Sequence, residues 1–451
     1  MRSVIVIIFS ISIFNLQSSI AQELRLVYHW HDALLPASTI FANVYNETWT
    51  WAGGGREYAI IGSTMGTHFF DVTDTANVVE VGMVPGAAQG TDIIHRDYKH
   101  LDHYLYIVCD EGPSTLQIVD MSYLPGSLHV IYDSDALFRR AHNIFIDTAK
   151  RRLYTCSDTK GPGEFNALGI YSLDNPESPQ LLAYWNDVGH VHDAYVRNDT
   201  GFCNSGYDGL WVMNFSNPAN PQLITKITTY QEQGYNHSGW WSEDRRAYVF
   251  ADETHGMRLK ACLADDMSNF GIESLFGSVV DSNSIPHNVI IREHIAYVSY
   301  YHDGLWAFDI SGLSDVKPIA HYDTYLLPDH DSYRGAWGVN PLLPSGLITI
   351  SDMQTGLYVF AWEDTAAPVS TPQSDPLQPN FFPNPTTDHF EILVEQPGTL
   401  RLFDSHGRCV VSQGVSIGNN RVMLPETLPG GLYCLEVLSN NRTFASLLIK
   451  Q

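Results

Sequence analysis

Four segments of the chain share one pattern: a histidine, a small polar residue, then a run of largely apolar, strand-forming residues. They read AHNIFID (141–147), VHDAYV (191–196), NHSGWW (236–241) and PHNVII (286–291). Short apolar runs of this kind, bounded by turn residues, predict β-strands, here each with a polar head. Two more patterns recur between them. One is a strand ending in an acidic or polar pair, as in LYIVCDEG, LYTCSD, AYVFADETHG, AYVSYYHDG and LITISDMQTG. The other is apolar, often beginning at a glycine, as in LGIYSLD, GLWVMNF, GLWAFDI and GLYVFAW. A fourth strand follows a proline-containing turn, as in NPESPQLLAYWND, NPANPQLITKI and SDVKPIAHYDT.

Aligning the strand heads gives Trp49, Asp92, His142, His192, His237, His287 and Trp337, at steps of 43, 50, 50, 45, 50 and 50 residues. Seven units of four short strands predict an all-β fold, a seven-bladed β-propeller over residues 22–363. The last unit has only three strands before the chain leaves it near Trp362. LRLVYHWHD (24–32) resembles the fourth strands, so the N-terminal segment is expected to complete the last blade and close the ring. Closure of this kind leaves few open sheet edges. The innermost strand of each blade lines the central channel, which predicts a ring of the seven strand heads around one mouth.

The pattern changes after the propeller. Residues 364–380, DTAAPVSTPQSDPLQPN, read as a stiff Pro-rich linker. Residues 381–451 hold about seven short β segments between Pro, Gly and Asn turns, which predicts a small Ig-like β-sandwich. At the other end, MRSVIVIIFSISIFNLQSSIAQ combines a basic start, an apolar core and a small-x-small site at Ser19–Ala21. That reads as a signal peptide over residues 1–21, and no transmembrane span is expected in the mature chain.

Charge narrows the partners. Fifty acidic residues against 25 basic give a formal net charge of −25, which argues against nucleic acid. The six cysteines show no Cys-x-x-Cys spacing. They read as buried small apolar residues, with a Cys409–Cys434 bridge as the alternative.

The repeats resemble LVIVD repeats, in strands such as LQIVD (116–120). The propeller as a whole resembles the choice-of-anchor B family of exported bacterial propellers. The likeness is carried by WAGGGREYAIIG (51–62), HNIFID (142–147), NHSGWWSEDRRAYVFADE (236–253), HNVIIREHIAYVSYYHDGLWAFDIS (287–311) and GAWGVNPLLPSGLITISDMQTGLYVF (335–360). It implies no set of catalytic residues. In the tail, FPNPTTDHFEI, LFDSHGR, LPGGLYCLEV and LLIK resemble the type A sorting domain of the type IX secretion system. That resemblance implies contact with the type IX machinery and passage to the outer cell surface. It also implies release or attachment to surface lipopolysaccharide.

The strand heads are the candidate ligand-binding residues. His142, His192, His237 and His287 are candidate ligands for a divalent metal ion, since neutral imidazole suits zinc, copper and nickel. Asp92, Asp193, Asp252 and Glu253 are candidate oxygen donors. The competing reading is architectural, a polar ring that recurs because every blade needs one. Two other functions stay open: a binding or scaffold face for a glycan or protein, and a metal-dependent hydrolase or lyase at the channel mouth. The chain has no Gly-x-Ser-x-Gly, phosphate-loop or His-Glu-x-x-His motif to favour an enzyme.

Overall fold

Seven antiparallel four-stranded sheets follow one another along residues 24–362 of the computed structural model, each strand pairing with the next by a short turn. The structure describes residues 24–161, 163–327, 333–363 and 381–451, except 395, 405–407, 426, 440 and 441. The expected signal peptide and linker lie outside these residues. The innermost strands of the blades, in order, are Tyr45–Gly53, Arg96–Leu101, Asn143–Asp147, Asp193–Arg197, Asn236–Trp241, Val289–Arg292 and Ala336–Asn340. This is the seven-bladed propeller that the repeat spacing predicts.

The seventh blade is completed from the N-terminal side. Leu24–Trp30 pairs antiparallel with Gly356–Trp362, outermost in a sheet whose other strands come from residues 336–362. A detail of register marks it as a true fourth strand. In each of the first six blades the outermost strand carries one extra residue: Val81, Ile131, Leu182, Ile224, Glu273 and Ile319. In the seventh the extra residue is Val27, in the N-terminal strand itself. Such a bulge sharpens the twist of an edge strand and disfavours pairing with another chain.

Neighbouring blades bury each other's faces. Ala59, Ile61 and Phe70 of the first blade pack with Leu357 and Val359 of the seventh, so apolar contact as well as hydrogen bonding seals the ring. The other blade junctions repeat the scheme, as with Val249 and Ala261 against Val289 and Val298.

The chain forms two compact units, Met1–Asp364 and Thr365–Gln451. Among the described residues the second unit has a three-stranded and a four-stranded sheet around Phe390, Ile392, Leu400, Leu402, Val422 and Leu435. Cys409 and Cys434 are both free and exposed. Each is paired opposite Phe403, one on either side of the strand Gly398–Phe403. Two interstrand spacings, about 9.6 Å, separate them. A disulfide needs Cα atoms within about 7 Å, so the alternative of a bridge is set aside. Cys109, Cys156, Cys203 and Cys262 are free and buried, as small apolar residues.

Candidate functional site at the channel mouth

The histidines reach the mouth because the backbone ladder carries them there. The backbone N–H of His142 donates to the carbonyl of Cys156, that of His192 to Asn204 and that of His287 to Ser299. Each bond continues the innermost strand against the end of the second strand, by one residue for His142 and His192 and by two for His287. His237 arrives differently, at a register shift between Asn236 and Ser238. An irregularity of this kind re-aims a side chain.

The side chains form a closed circuit. Successive ring centroids lie 4.8 Å apart for His95–His142, 4.1 Å for His142–His192, 4.0 Å for His192–His237 and 4.3 Å for His237–His287. Trp337 closes it, 4.7 Å from His287 and 5.1 Å from His95. Five of the seven expected heads are therefore brought together: His142, His192, His237, His287 and Trp337.

Two expected positions differ. Asp92 is exposed in a turn, four residues before the strand begins at Arg96, and His95 occupies the second blade's place in the circuit. The pattern of histidine before a small polar residue missed it because Arg96 follows. The side chain of Arg96 is drawn off to the carbonyls of Ser63 and Ala88. Trp49 lies deeper, within its strand, where its indole N–H donates to His100 Nδ1 over 2.8 Å. Glu47, two residues before Trp49, faces the inner channel with Asp97 and Asn143.

The circuit has two unlike halves. In one, His142 Nδ1 is 2.8 Å from Asp110 Oδ2 and His95 Nδ1 is 2.5 Å from Glu111 Oε1. Burial opposes charge on His95, but Glu111, with Asp110 and Glu253, raises its pKa above the ordinary value. Asp110 is held low against the pull of burial by His142. Both carboxylates come from the acidic pair that ends the second strand of blade two.

In the other half the imidazoles are neutral. Burial, with mutual repulsion among the rings, pushes the pKa values of His192 and His237 well below the usual range, and burial takes His287 to about 3. His287 Nδ1 donates to the Trp337 carbonyl over 2.6 Å, which leaves Nε2 with the lone pair. Nδ1 of His192 and Nδ1 of His237 are buried without a hydrogen-bond partner among the described residues. Glu253 lies over this half, with Oε2 3.7 Å from His237 Nε2 and Oε1 3.9 Å from His287 Nε2. The Tyr301 hydroxyl donates to it. Burial pushes its pKa up to about 7. Asp252, beside it in sequence, is committed elsewhere. It accepts from Lys260 at 2.7 Å, from Tyr230 at 2.8 Å and from the Gly234 N–H at 3.0 Å.

One layer further in, the channel is lined by Glu47, Asp97, Lys99 and Asp193, then by Trp49, Phe145 and Trp240. Trp241, the alternate neighbour of Trp240, packs in the core. Asp193, whose side chain belongs to this lower layer, is raised to about 7 by burial.

Residues 380–451 match the family model of the secretion system C-terminal sorting domain. That domain indicates export by type IX secretion to the cell surface and implies contact with the type IX machinery. Among the described residues no helix is long and apolar enough to cross a membrane. No curated protein matches the chain. Among solved structures, the chain is similar to U3-55K at 8% identity and a TM-score of 0.52, over 75% of this chain and 98% of that one. It is similar at 10% identity and the same TM-score to the Cps50 (Swd1) β-propeller domain of Myceliophteria thermophila, over 75% and 99%. These likenesses concern the propeller fold. PorZ, an essential bacterial surface component of the type IX secretion system of Porphyromonas gingivalis, aligns at 12% identity and a TM-score of 0.45. That alignment covers 93% of this chain, which spans 61% of the PorZ chain.

Proposed function

We propose that the chain is an exported binding module of the LVIVD-repeat, choice-of-anchor B kind, and that the histidine-lined mouth is its ligand seat. One observation carries this: in His192 and His237, neighbouring rings of the circuit at the mouth, Nδ1 is buried without a hydrogen-bond partner among the described residues. Buried polar groups in native folds are nearly always hydrogen-bonded, and an unpaired one costs about 1–3 kcal/mol. The signal peptide at residues 1–21 and attachment to surface lipopolysaccharide belong to the same reading, as its route and destination.

The test is thermal stabilisation of the purified, untagged chain by a panel of divalent metal ions, oligosaccharides and peptides. A ligand of this seat raises the melting temperature of the chain, and the rise disappears in the His192→Ala/His237→Ala double variant. A rise that survives in the double variant places the seat elsewhere. No rise with any class in the panel removes the reading.

A further inference from the structure

We propose that the ligand of the seat is one divalent transition-metal ion, held by His192, His237 and Glu253 on one half of the circuit. The inference rests on the mouth being a ligand seat, and it names what that seat takes.

Geometry comes first. Six rings spaced by 4.0–5.1 Å enclose a space too wide for one ion to touch opposite sides with bonds of about 2 Å. Only neighbours can act together. Donor atoms of His192, His237 and Glu253 all lie within 4.8 Å of one another, as do those of His95, Asp110 and His142. Two donors on a tetrahedral zinc ion are about 3.3 Å apart. His237 Nε2 and Glu253 Oε2, at 3.7 Å, are close to that spacing already.

Chemistry separates the two trios. A metal ligand must offer a lone pair, so the imidazole must be neutral and its nitrogen free. In the first half His95 and His142 are bonded through Nδ1 to Glu111 and Asp110, so Asp110 and His142 of that trio are already spent on one another. In the second half Nδ1 of His192 and Nδ1 of His237 are buried without partners among the described residues. Glu253 has no Lys or Arg paired to it among the described residues. Two imidazoles and one carboxylate are a donor set that suits zinc, nickel or copper. Three protein donors also match sites that keep a coordination position for water or a substrate.

The surroundings supply the outer partners that such sites use. Tyr301 donates to Glu253, and the Trp337 carbonyl orients His287 beside it. Outer contacts of this kind fix ligand orientation and commonly change metal affinity 10–100-fold when removed, an order-of-magnitude guide.

The experiment is metal analysis of the full untagged chain by plasma mass spectrometry, after loading with Zn²⁺ and dialysis in chelator-free buffer. About one equivalent is expected. His192→Ala, His237→Ala and Glu253→Gln each drop to background, whereas His95→Ala and His142→Ala retain the ion. Circular dichroism melts confirm that each variant is folded. Tyr301→Phe, which keeps the ring and removes only the hydroxyl, weakens Zn²⁺ affinity about tenfold or more. Retention in Glu253→Gln, or loss in the His95 and His142 variants alone, overturns the assigned ligands while a metal seat at the mouth stands. Stabilisation by an oligosaccharide or peptide with no bound metal overturns the metal while the ligand seat stands. No stabilisation by any ligand removes both.

Discussion

Two polar layers of one channel, a single step apart along the same strands, are built in opposite ways. In the lower layer, charge is matched inside the protein. Lys99 Nζ is 3.0 Å from Asp97 Oδ1 and lies over the Trp49 ring at 4.5 Å. Asn288 Nδ2 donates to Glu47 Oε2 over 2.6 Å, and the Thr48 N–H donates to Oε1. Burial works against the charge of Lys99, but Asp97, Asp193 and Glu47 raise its pKa. In the mouth, by contrast, the half under Glu253 holds neutral rings with bare nitrogens. Burial and polarity are common to both layers. What differs is charge pairing: the lower layer pairs its carboxylates with Lys99, whereas Glu253 at the mouth has no Lys or Arg partner among the described residues, and that separates a plug from a seat.

The largest effect that can break this contrast comes from the lower layer. Lys99→Met removes the one cation and leaves Glu47, Asp97 and Asp193 facing one another in the channel. Stranding buried charge in this way destabilises by about 3–5 kcal/mol. Chemical denaturation is expected to show that loss, with the denaturant slope unchanged. A loss below about 1 kcal/mol would mean that water, not Lys99, compensates the layer.

A smaller effect follows from Glu47. Burial and the nearby Asp97 raise its pKa above the ordinary carboxylate value, despite Lys99 and the Thr48 N–H. The folded state therefore binds a proton that the unfolded state has released. The stability it contributes is full below the unfolded carboxylate pKa and is lost as pH rises through the raised folded pKa. Glu47→Gln is expected to flatten this decline in the melting temperature between mildly acidic and neutral pH. An unchanged slope would assign the decline to Asp97 or Asp193.

The sequence carries the fold further than the site. Strand heads at near-regular spacing predict seven blades, and the likeness of LRLVYHWHD to the outer strands predicts which segment closes the ring. The bulge at Val27 shares its register with the other six. The site is only partly legible because its geometry is made between blades. His95 escapes a pattern that requires a small residue after histidine. Trp49 is misplaced because the register shift between Tyr45 and Thr48 breaks the count along the first innermost strand. Glu253 can be named as an oxygen donor, but so can Asp252 beside it. Only the fold shows that Lys260, with its ammonium fully buried, claims the latter. The division of the circuit depends on Glu111 reaching His95 within the second blade and on Asp110 crossing to His142 of the third, and the latter contact is one that no spacing within one repeat encodes.

The smallest effect sharpens the contrast most, because it reverses the usual sign for a buried polar residue. His237 has 2% of its surface exposed, and its Nδ1 has no hydrogen-bond partner among the described residues. His237→Leu fills similar space and removes an unsatisfied atom. In chelator-treated buffer it is expected to be neutral or to stabilise by about 1 kcal/mol, since an unpaired buried group costs 1–3 kcal/mol, an order-of-magnitude range. In saturating Zn²⁺ the order reverses, because the natural chain gains binding energy that the variant cannot. Asn288→Leu, which removes the donor to Glu47 Oε2, destabilises with or without metal. A His237→Leu chain that is clearly less stable in chelator would place its imidazole among the structural polar groups, and the two layers would then be alike.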